Sequence, residues 1–357
     1  MSKRFRIAVI GLTHDHVWGN LDHLAAQKDG QLAAVADPHQ PLLDRVEKNY
    51  GCPTYLDYGE MVERERPDAV YVFTDNAQGA ELSAWAASRG LHVMVEKPMA
   101  ASLAGAERMI DAAHKADVRL MVNWPVVWRP QVQAALAIVG RSEFGRIWQI
   151  THRAGHGGPQ VECSPYFREW LVDRDRNGAG ALIDVCCYGV NLANMLLGRP
   201  SQVTAVVGRL REPESPVEDN AIVVMSYPHA MATAEGSWGQ IGQPTTGYLA
   251  TIWGTGGSVI LGPGRGGRLW TTTAQRPECV EIAPPQPEPH MANGTAHFLW
   301  ALATGSEFHP LCRAEACRNT QEVLEAALLS ARTGAAVSLP LPASCDAGAP
   351  AQHHATG

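Results

Sequence analysis

Along the first 122 positions, two hydrophobic patterns take turns. Short apolar runs at Phe5–Ile10, Leu32–Ala36, Ala69–Phe73, His92–Val95 and Val118–Val122 have the near-continuous character of strands buried on both faces. Amphipathic stretches fill the gaps at 16–28, 40–49, 58–65, 78–89 and 102–117, the last with Ser102 set to cap it. Strands alternating with helices predict βαβ units and a doubly wound parallel sheet.

The pattern changes after Asn123. A helix near 131–139 leads to a strand at Ile147–His152, then a loop holding Gly155, Gly157, Gly158 and Pro159. A helix over 179–197 follows, ended by Gly198 and Pro200. From 201 to 283 come strand-like runs, Val203–Gly208, Ala221–Tyr227, Met231–Gly236, Leu249–Trp253 and Ser258–Leu261, with no helix-length pattern between them. They predict a mostly antiparallel sheet, closed by helices at 291–304 and 313–331. The expected layout is an N-terminal α/β domain over 1–123 and a C-terminal α+β domain over 124–342. Residues 343–357, small, polar and proline-containing, are expected to form a disordered tail.

Composition narrows the function classes. A chain of 357 residues with 45% hydrophobic and 18% charged positions is long enough for two folded domains, which excludes wholesale disorder. Net charge is −7 without a basic patch, so nucleic acid and anionic membrane are disfavoured as partners. The sequence has no uninterrupted apolar run of about 18 residues, so no membrane span is expected. The N-terminal cations precede a short apolar run that stops at a glycine turn, which reads as a first strand rather than a secretory leader. Eight cysteines without a C-x-x-C pair argue against a disulfide framework or a cysteine zinc site, and a cytoplasmic location is expected.

Candidate chemistry begins at the first turn, Gly11-Leu12-Thr13-His14-Asp15-His16. A dinucleotide fingerprint G-x-G-x-x-G keeps only its first glycine here, but the turn lies between a buried strand and a helix N-terminus, where an anion is favoured. Asp37, at the end of the second strand, can accept both hydroxyls of an adenosine ribose. It would repel a 2′-phosphate, and Pro38-His39-Gln40-Pro41 offers no Lys or Arg to hold one, so NAD is expected over NADP. His14 and His16 form an H-x-H pair with no nearby third and fourth ligand, so they are expected to line the cofactor pocket and no metal is expected. In Glu96-Lys97-Pro98, the lysine stands at the C-terminal end of a parallel strand, where such sheets bind ligands. Asp184 and Tyr188, four apart, share one helical face.

The Gly11 turn, Asp37, Thr74-Asp75-Asn76, Glu96-Lys97-Pro98 and the segment Trp170…Gly178-Ala-Gly180-Ala-Leu-Ile-Asp184-Val-Cys-Cys-Tyr188 together resemble one family over about residues 4–340. It is the glucose–fructose oxidoreductase / inositol dehydrogenase / MocA (Gfo/Idh/MocA) family of oxidoreductases. The resemblance implies a Rossmann domain followed by a domain built on an open antiparallel sheet. It also implies that the lysine matching Lys97 works beside a D-x-G-x-H motif, which here reads Asp184-Val185-Cys186-Cys187-Tyr188. A tyrosine in the histidine position is similar to the glucose–fructose oxidoreductase and dihydrodiol dehydrogenase branches, where it is regarded as the acid/base. Lys97, Asp184 and Tyr188 are thus the expected catalytic group, with the Lys97 ammonium lowering the Tyr188 phenol and Asp184 accepting from a substrate hydroxyl.

The expected cofactor set is Gly11, Leu12, Thr13, His14, His16, Asp37, Thr74, Asn76, Glu96 and Lys97, for NAD. Trp124, Trp128, Tyr166 and Trp170 offer aromatic faces for the C–H surfaces of a sugar or polyol, and Arg153 and His156 offer polar contacts. The expected reaction is hydride transfer between nicotinamide and a secondary hydroxyl of a sugar, glycoside or cyclitol. The alternatives are an NAD-assisted glycoside-cleaving enzyme and a non-catalytic dinucleotide-binding sensor. Lys97, Asp184 and Tyr188 together argue against the sensor. The chain departs from the family at Asp75 and Gly79, in its T-P-N-x-x-H motif, and at Val126 and Val127, where an arginine pair is common. The resemblance further implies a homodimer or homotetramer, with a partner subunit covering the open sheet.

Overall fold

The computed structural model describes residues 4–241, 247–262 and 267–342, so the tail expected at 343–357 lies outside the described residues. The first sheet contains β1 (Phe5–Ile10), β2 (Gly30–Ala36), β3 (Thr54–Tyr55), β4 (Ala69–Val72), β5 (His92–Glu96) and β6 (Leu120–Asn123). All pairings are parallel and the order is β3-β2-β1-β4-β5-β6, the doubly wound arrangement. Between the strands run α1 (His16–Ala25), α2 (Gln40–Tyr50), α3 (Tyr58–Glu65), α4 (Asn76–Ala87) and α5 (Leu103–Lys115). The local signals act where expected. Ser102 caps α5 by accepting from Gly105 N at 3.2 Å, and Gly51 ends α2 in the left-handed region at φ 63°. Asp75 caps α4 by accepting from Gln78 N at 2.8 Å.

The second half opens with α6 (Pro130–Val139) and β7 (Ile147–Gly155). Three short helices, α7 (Pro159–Glu162), α8 (Pro165–Leu171) and α9 (Arg174–Asn177), were not expected from the pattern. A π-helical turn at Leu182–Cys186 then runs into α10 (Cys187–Leu197). The strands that follow are β8 (Gln202–Gly208), β9 (Asn220–Tyr227), β10 (Ala230–Ser237), β11 (Gly247–Gly254) and β12 (Gly257–Leu261). After them come β13 (Leu269–Thr273), β14 (Arg276–Ile282) and β15 (Val337–Ser338), none anticipated. The sheet order is β14-β13-β12-β11-β7-β10-β9-β8-β15, and every pairing is antiparallel except β7 with β10.

Helices α10 and α12 (Ala314–Thr333) pack on one face of this sheet. Along β9, Ala221, Val223 and Met225 are buried while Ile222 and Val224 are exposed, the alternation of a sheet with one open face. Helix α11 (Gly294–Thr304), expected to close the second half, instead lies against the first sheet. Its Phe298 ring meets Tyr71 of β4 edge-on at 5.7 Å, and Arg119 donates to Ala301 O at 3.2 Å. Residues 174–197 include an 18-residue window apolar enough to resemble a membrane span, yet 78% of that window is buried in protein, which accounts for its hydropathy.

Most core residues form one cluster shared by both sheets. A smaller, separate cluster unites Ala154, Phe167, Trp170, Leu171, Ala181, Val185, Val217 and Trp238 around α8.

Candidate active site

Strand β1 ends in Gly11 at φ 86°, a conformation that disfavours side chains. A Cβ there would collide with Thr74 Cγ2 and lie 3.0 Å from the Phe73 backbone, so the turn crosses the sheet with no room for a side chain. Asp37, at the end of β2, reaches under this turn. Its Oδ2 accepts from Leu12 N at 2.6 Å, and its Oδ1 accepts from His39 N and faces His39 Nδ1, both at 2.7 Å. Gly11 and Asp37 therefore meet at the ends of the first two strands, and Leu12, Thr13, His14 and Asp37 are all buried.

His14 is 1% exposed, with its ring against Phe167 at 4.4 Å and Trp170 at 5.7 Å. Burial, reinforced by His16 and Lys97, holds it well below the usual imidazole range, so it is neutral. His16 Nδ1 lies 3.0 Å from Glu96 Oε1, and Asn123 Nδ2 donates to Glu96 Oε2 at 3.0 Å. One donor atom from each of His14, His16 and Glu96 falls within 4.8 Å of the others, a spacing a cation could bridge. However, His14 Nδ1 accepts from His16 N at 3.2 Å, which puts the proton of the neutral ring on Nε2, and the carboxylate is committed to His16 and Asn123. Glu96 is nonetheless a third ligand-type group beside the H-x-H pair, which the sequence pattern did not bring there.

Thr74 stands beside Gly11. Asn76, expected to touch the cofactor, turns its amide to Asn177, donating to Oδ1 at 2.7 Å and to the carbonyl at 3.1 Å. It joins the two halves of the chain, as does Asp75 through Arg176 Nε at 3.0 Å.

Lys97 follows β5 and crosses to the π-helical turn, a local widening that often marks functional sites. Its ammonium donates to Asp184 Oδ1 at 2.7 Å and to the Asp184 carbonyl at 3.1 Å, and lies 5.0 Å from the centre of the Tyr188 ring. Trp238 Nε1 donates to Asp184 Oδ2 at 2.9 Å, and His156 Nε2 stands 3.6 Å from the same oxygen. Lys97 and Asp184 are 3% and 6% exposed. Burial opposes both charges, but each partner overrides it. Lys97 is held well above the usual ammonium range and Asp184 well below the usual carboxylate range.

The expectation for Tyr188 needs correction. Burial pushes its phenol up, and the Lys97 ammonium only partly offsets this, so the hydroxyl keeps its proton. Asp184 already accepts from Lys97 at Oδ1 and from Trp238 at Oδ2, with one further acceptor site left on each oxygen.

Of the six expected substrate residues, Trp128, Arg153 and Trp170 lie away from the Lys97–Asp184–Tyr188 group, while the Trp124 ring meets the Tyr188 ring edge-on at 5.6 Å. Trp124 and Trp128 are in the main core, with their indole N–H groups donating to Cys317 Sγ at 3.3 Å and Asn123 Oδ1 at 3.0 Å. Arg153 is exposed on the open face of the second sheet, because along β7 it alternates with the inward His152 and Ala154. Trp170 is buried in the smaller core cluster beside His14. Tyr166 meets the His39 ring at 4.9 Å, at the Asp37 end of the crevice. Of the six, His156, with its side chain 26% exposed, is the one in contact with Asp184.

Residues 5–124 match the model of the oxidoreductase family with an NAD-binding Rossmann fold, and residues 132–260 match the GFO/IDH/MocA C-terminal domain. The chain belongs to the Gfo/Idh/MocA family. It is 30% identical over 187 residues to D-xylose 1-dehydrogenase (NADP(+)) 2 of Haloferax volcanii, covering 51% of this chain and 54% of that protein. The chain thus spans about half the length of the first curated relatives it matches, 54% and 46%. Over 368 residues it is 25% identical to D-apiose dehydrogenase of Paraburkholderia graminis, covering 98% and 92% of the two chains. Aldose-aldose oxidoreductase from Caulobacter crescentus, solved with glycerol, superimposes with a TM-score of 0.80 at 25% identity, covering 94% of this chain and 100% of that one. The Gfo/Idh/MocA architecture accounts for both sheets and for the helix that brings Asp184 to Lys97.

Proposed function

We propose that this Gfo/Idh/MocA member is an NAD-dependent oxidoreductase moving a hydride between nicotinamide and a secondary hydroxyl or ketone of a sugar, glycoside or cyclitol. The observation that carries this reading is the Lys97–Asp184 pair joining the two halves of the chain beside Tyr188. The residues at the crevice fit a dinucleotide: Gly11 provides a turn without a side chain, Asp37 a carboxylate at the ribose position, and Lys97 a cation at the far end. Asp37, without a neighbouring Lys or Arg, favours NAD over NADP.

A bound nicotinamide supplies or accepts the hydride. The chain's own groups handle the oxygen. Lys97, kept cationic by Asp184, stabilises negative charge on a substrate oxygen. Asp184 orients that ammonium and is itself aimed by Trp238. Tyr188, with its proton retained, is the donor to that oxygen in the reducing direction. The test is a panel of sugars and cyclitols, with their ketones, assayed with NAD(H) and NADP(H) at the nicotinamide absorbance. Turnover is expected with at least one sugar, and Lys97→Met should lower it by about two to four orders of magnitude. Unchanged turnover in that variant would refute the reading.

The open sheet face supports self-association. Val206, Ile222, Val224 and Met231 are exposed on it at 69%, 47%, 38% and 55%. A homodimer or homotetramer that buries them is expected in light scattering, and Ile222→Arg should shift it toward monomer.

A further inference from the structure

The fold brings to the H-x-H pair of the first turn a carboxylate from 80 residues further along the chain. His14 and His16 follow β1, and Glu96 is the last residue of β5, so ends of two parallel strands of one sheet hold the three. One ligand-type atom from each lies within 4.8 Å of the other two. His16 Nδ1 and Glu96 Oε1 are 3.0 Å apart. Two ligands of one ion, each at about 2.1 Å from it, stand about 3.0–3.4 Å from each other, so this edge of a coordination shell is already formed. The other separations must shorten by at most about 1.4 Å, which rotation of the His16 ring can supply, since its side chain is 39% exposed.

The carboxylate is also held in the manner of a ligand. Glu96 Oε2 accepts from Asn123 Nδ2 at 3.0 Å, and Asn123 Oδ1 in turn accepts from Trp128 Nε1 at 3.0 Å. All three residues are buried, and a Cβ at Gly294 would lie 2.3 Å from Asn123 Oδ1, so this chain of donors has no room to turn. Outer partners of this kind orient metal-binding side chains, and here they fix Oε1 toward His16. The hydrogen bonds of the free chain leave room for an ion. His14 is a neutral ring, and either of its nitrogens ligates once the proton sits on the other. The one bond at stake, from His16 N at 3.2 Å, involves an N–H of the first turn of α1, which has no partner within the helix in any case. Between His16 and Glu96 an ion takes the place of the shared proton, which moves to His16 Nε2.

We propose that His14, His16 and Glu96 bind a divalent transition-metal ion of the zinc class. Two imidazoles and one carboxylate suit such ions, whereas magnesium and calcium take oxygen ligands. Three protein ligands leave a position for water, the pattern of catalytic rather than structural sites, and the partly exposed His16 keeps it open to solvent. The site is additional to the oxidoreductase chemistry proposed above and can be tested without a nucleotide.

The probe is Co²⁺, added to the untagged full chain after chelator treatment and read by the visible absorption of the bound ion and by calorimetry. One equivalent should bind, and Zn²⁺ should displace it. His16→Ala removes a partly exposed side chain and leaves the core untouched, and it should weaken binding at least about a hundredfold. Glu96→Gln keeps the shape and removes the charge, and it should do the same. His353→Ala combined with His354→Ala, which removes the histidine pair near the end of the sequence, should leave binding unchanged. Circular dichroism checks that each variant is folded. Absence of Co²⁺ binding by the wild type, binding that ignores His16→Ala, or binding lost with His353 and His354 would overturn the site. NADH binding by a wild-type chain that takes up no metal would overturn the metal site and leave the oxidoreductase reading intact.

Discussion

Substituting Asp184 by Asn removes one charge from a pair that is almost wholly shielded from water, and leaves the Lys97 ammonium without its partner. In the wild-type chain Asp184 is held below its ordinary range. Its contribution is therefore complete above the unfolded value of about 3.9 and fades only as pH falls through the lower folded value. Lys97 is held above its ordinary range, so its contribution is complete below about 10.4 and fades only as pH rises through the higher folded value. Between about pH 5 and pH 9 the pair should make no difference to the slope of stability against pH. In Asp184→Asn the unpaired buried ammonium should cost about 3–5 kcal/mol at neutral pH, a large part of a total of about 5–15 kcal/mol.

Burial then lowers the folded-state pKa of Lys97 below the unfolded one. The unfolded chain binds a proton that the folded chain has released, so the variant regains stability as pH rises, by up to about 1.4 kcal/mol per pH unit, until about pH 10. Urea unfolding followed by circular dichroism from about pH 6 to pH 9 measures both effects. A variant within about 1 kcal/mol of wild type, with a parallel pH dependence, would refute the argument that Lys97 depends on Asp184 for its charge. Lys97→Met combined with Asp184→Leu should recover most of the lost stability, because an apolar pair of similar bulk carries no desolvation cost, yet turnover should stay absent.

Three further outcomes follow from individual contacts. Tyr188→Phe should depress turnover at every pH, and the wild-type rate profile should contain no step near neutrality that this variant abolishes. Such a step would show that the phenol ionises there despite its burial. Asp37→Ser removes the acceptor of Leu12 N and His39 N together with the charge at the ribose position, so the NAD-to-NADP ratio of kcat/KM should fall at least about tenfold; an unchanged ratio would remove Asp37 from cofactor choice. Gly11→Ala forces a side chain into a φ of 86° and against Thr74, which should cost about 2–4 kcal/mol in urea unfolding, and a cost below about 0.5 kcal/mol would mean the turn can relax.

How far the sequence could be read depended on whether a residue's fate is set by its neighbours in the chain or by distant ones. The central strands of the first sheet were legible because burial on both faces leaves continuous apolar runs, and Ser102 was legible because a cap acts on the next turn. Strand β3 is two residues long and too short for any period to register. Helix α8 is seven residues long, yet Ser164-Pro165 was a usable start signal, a cap followed by proline at the first helical position.

The aromatic residues show the other limit. A tryptophan suits a sugar face and a core equally well, and Trp124 and Trp128 went to the core because distant partners, Cys317 and α11, closed over them. Arg153 was decidable, since strict alternation along β7 sets it opposite His152 and Ala154. Trp238, which holds Asp184, gave no signal, because 54 residues separate the two and neither lies in a shared motif.

Tyr188 marks the sharpest boundary. The family resemblance implied a cation beside its ring, and Lys97 lies there, but proximity of a charge is one contribution to a pKa and desolvation is the opposing one. A helix pattern announces that a face is buried without stating how completely water is excluded from one hydroxyl. The burial that raises the Tyr188 phenol is partial, whereas Lys97 and Asp184, at 3% and 6% exposure, are shielded almost wholly, which strengthens their attraction. In the proposed reaction a phenol that stays protonated in the free chain gives a hydrogen bond to the substrate oxygen, and negative charge developing on that oxygen, beside Lys97, is what draws the proton across.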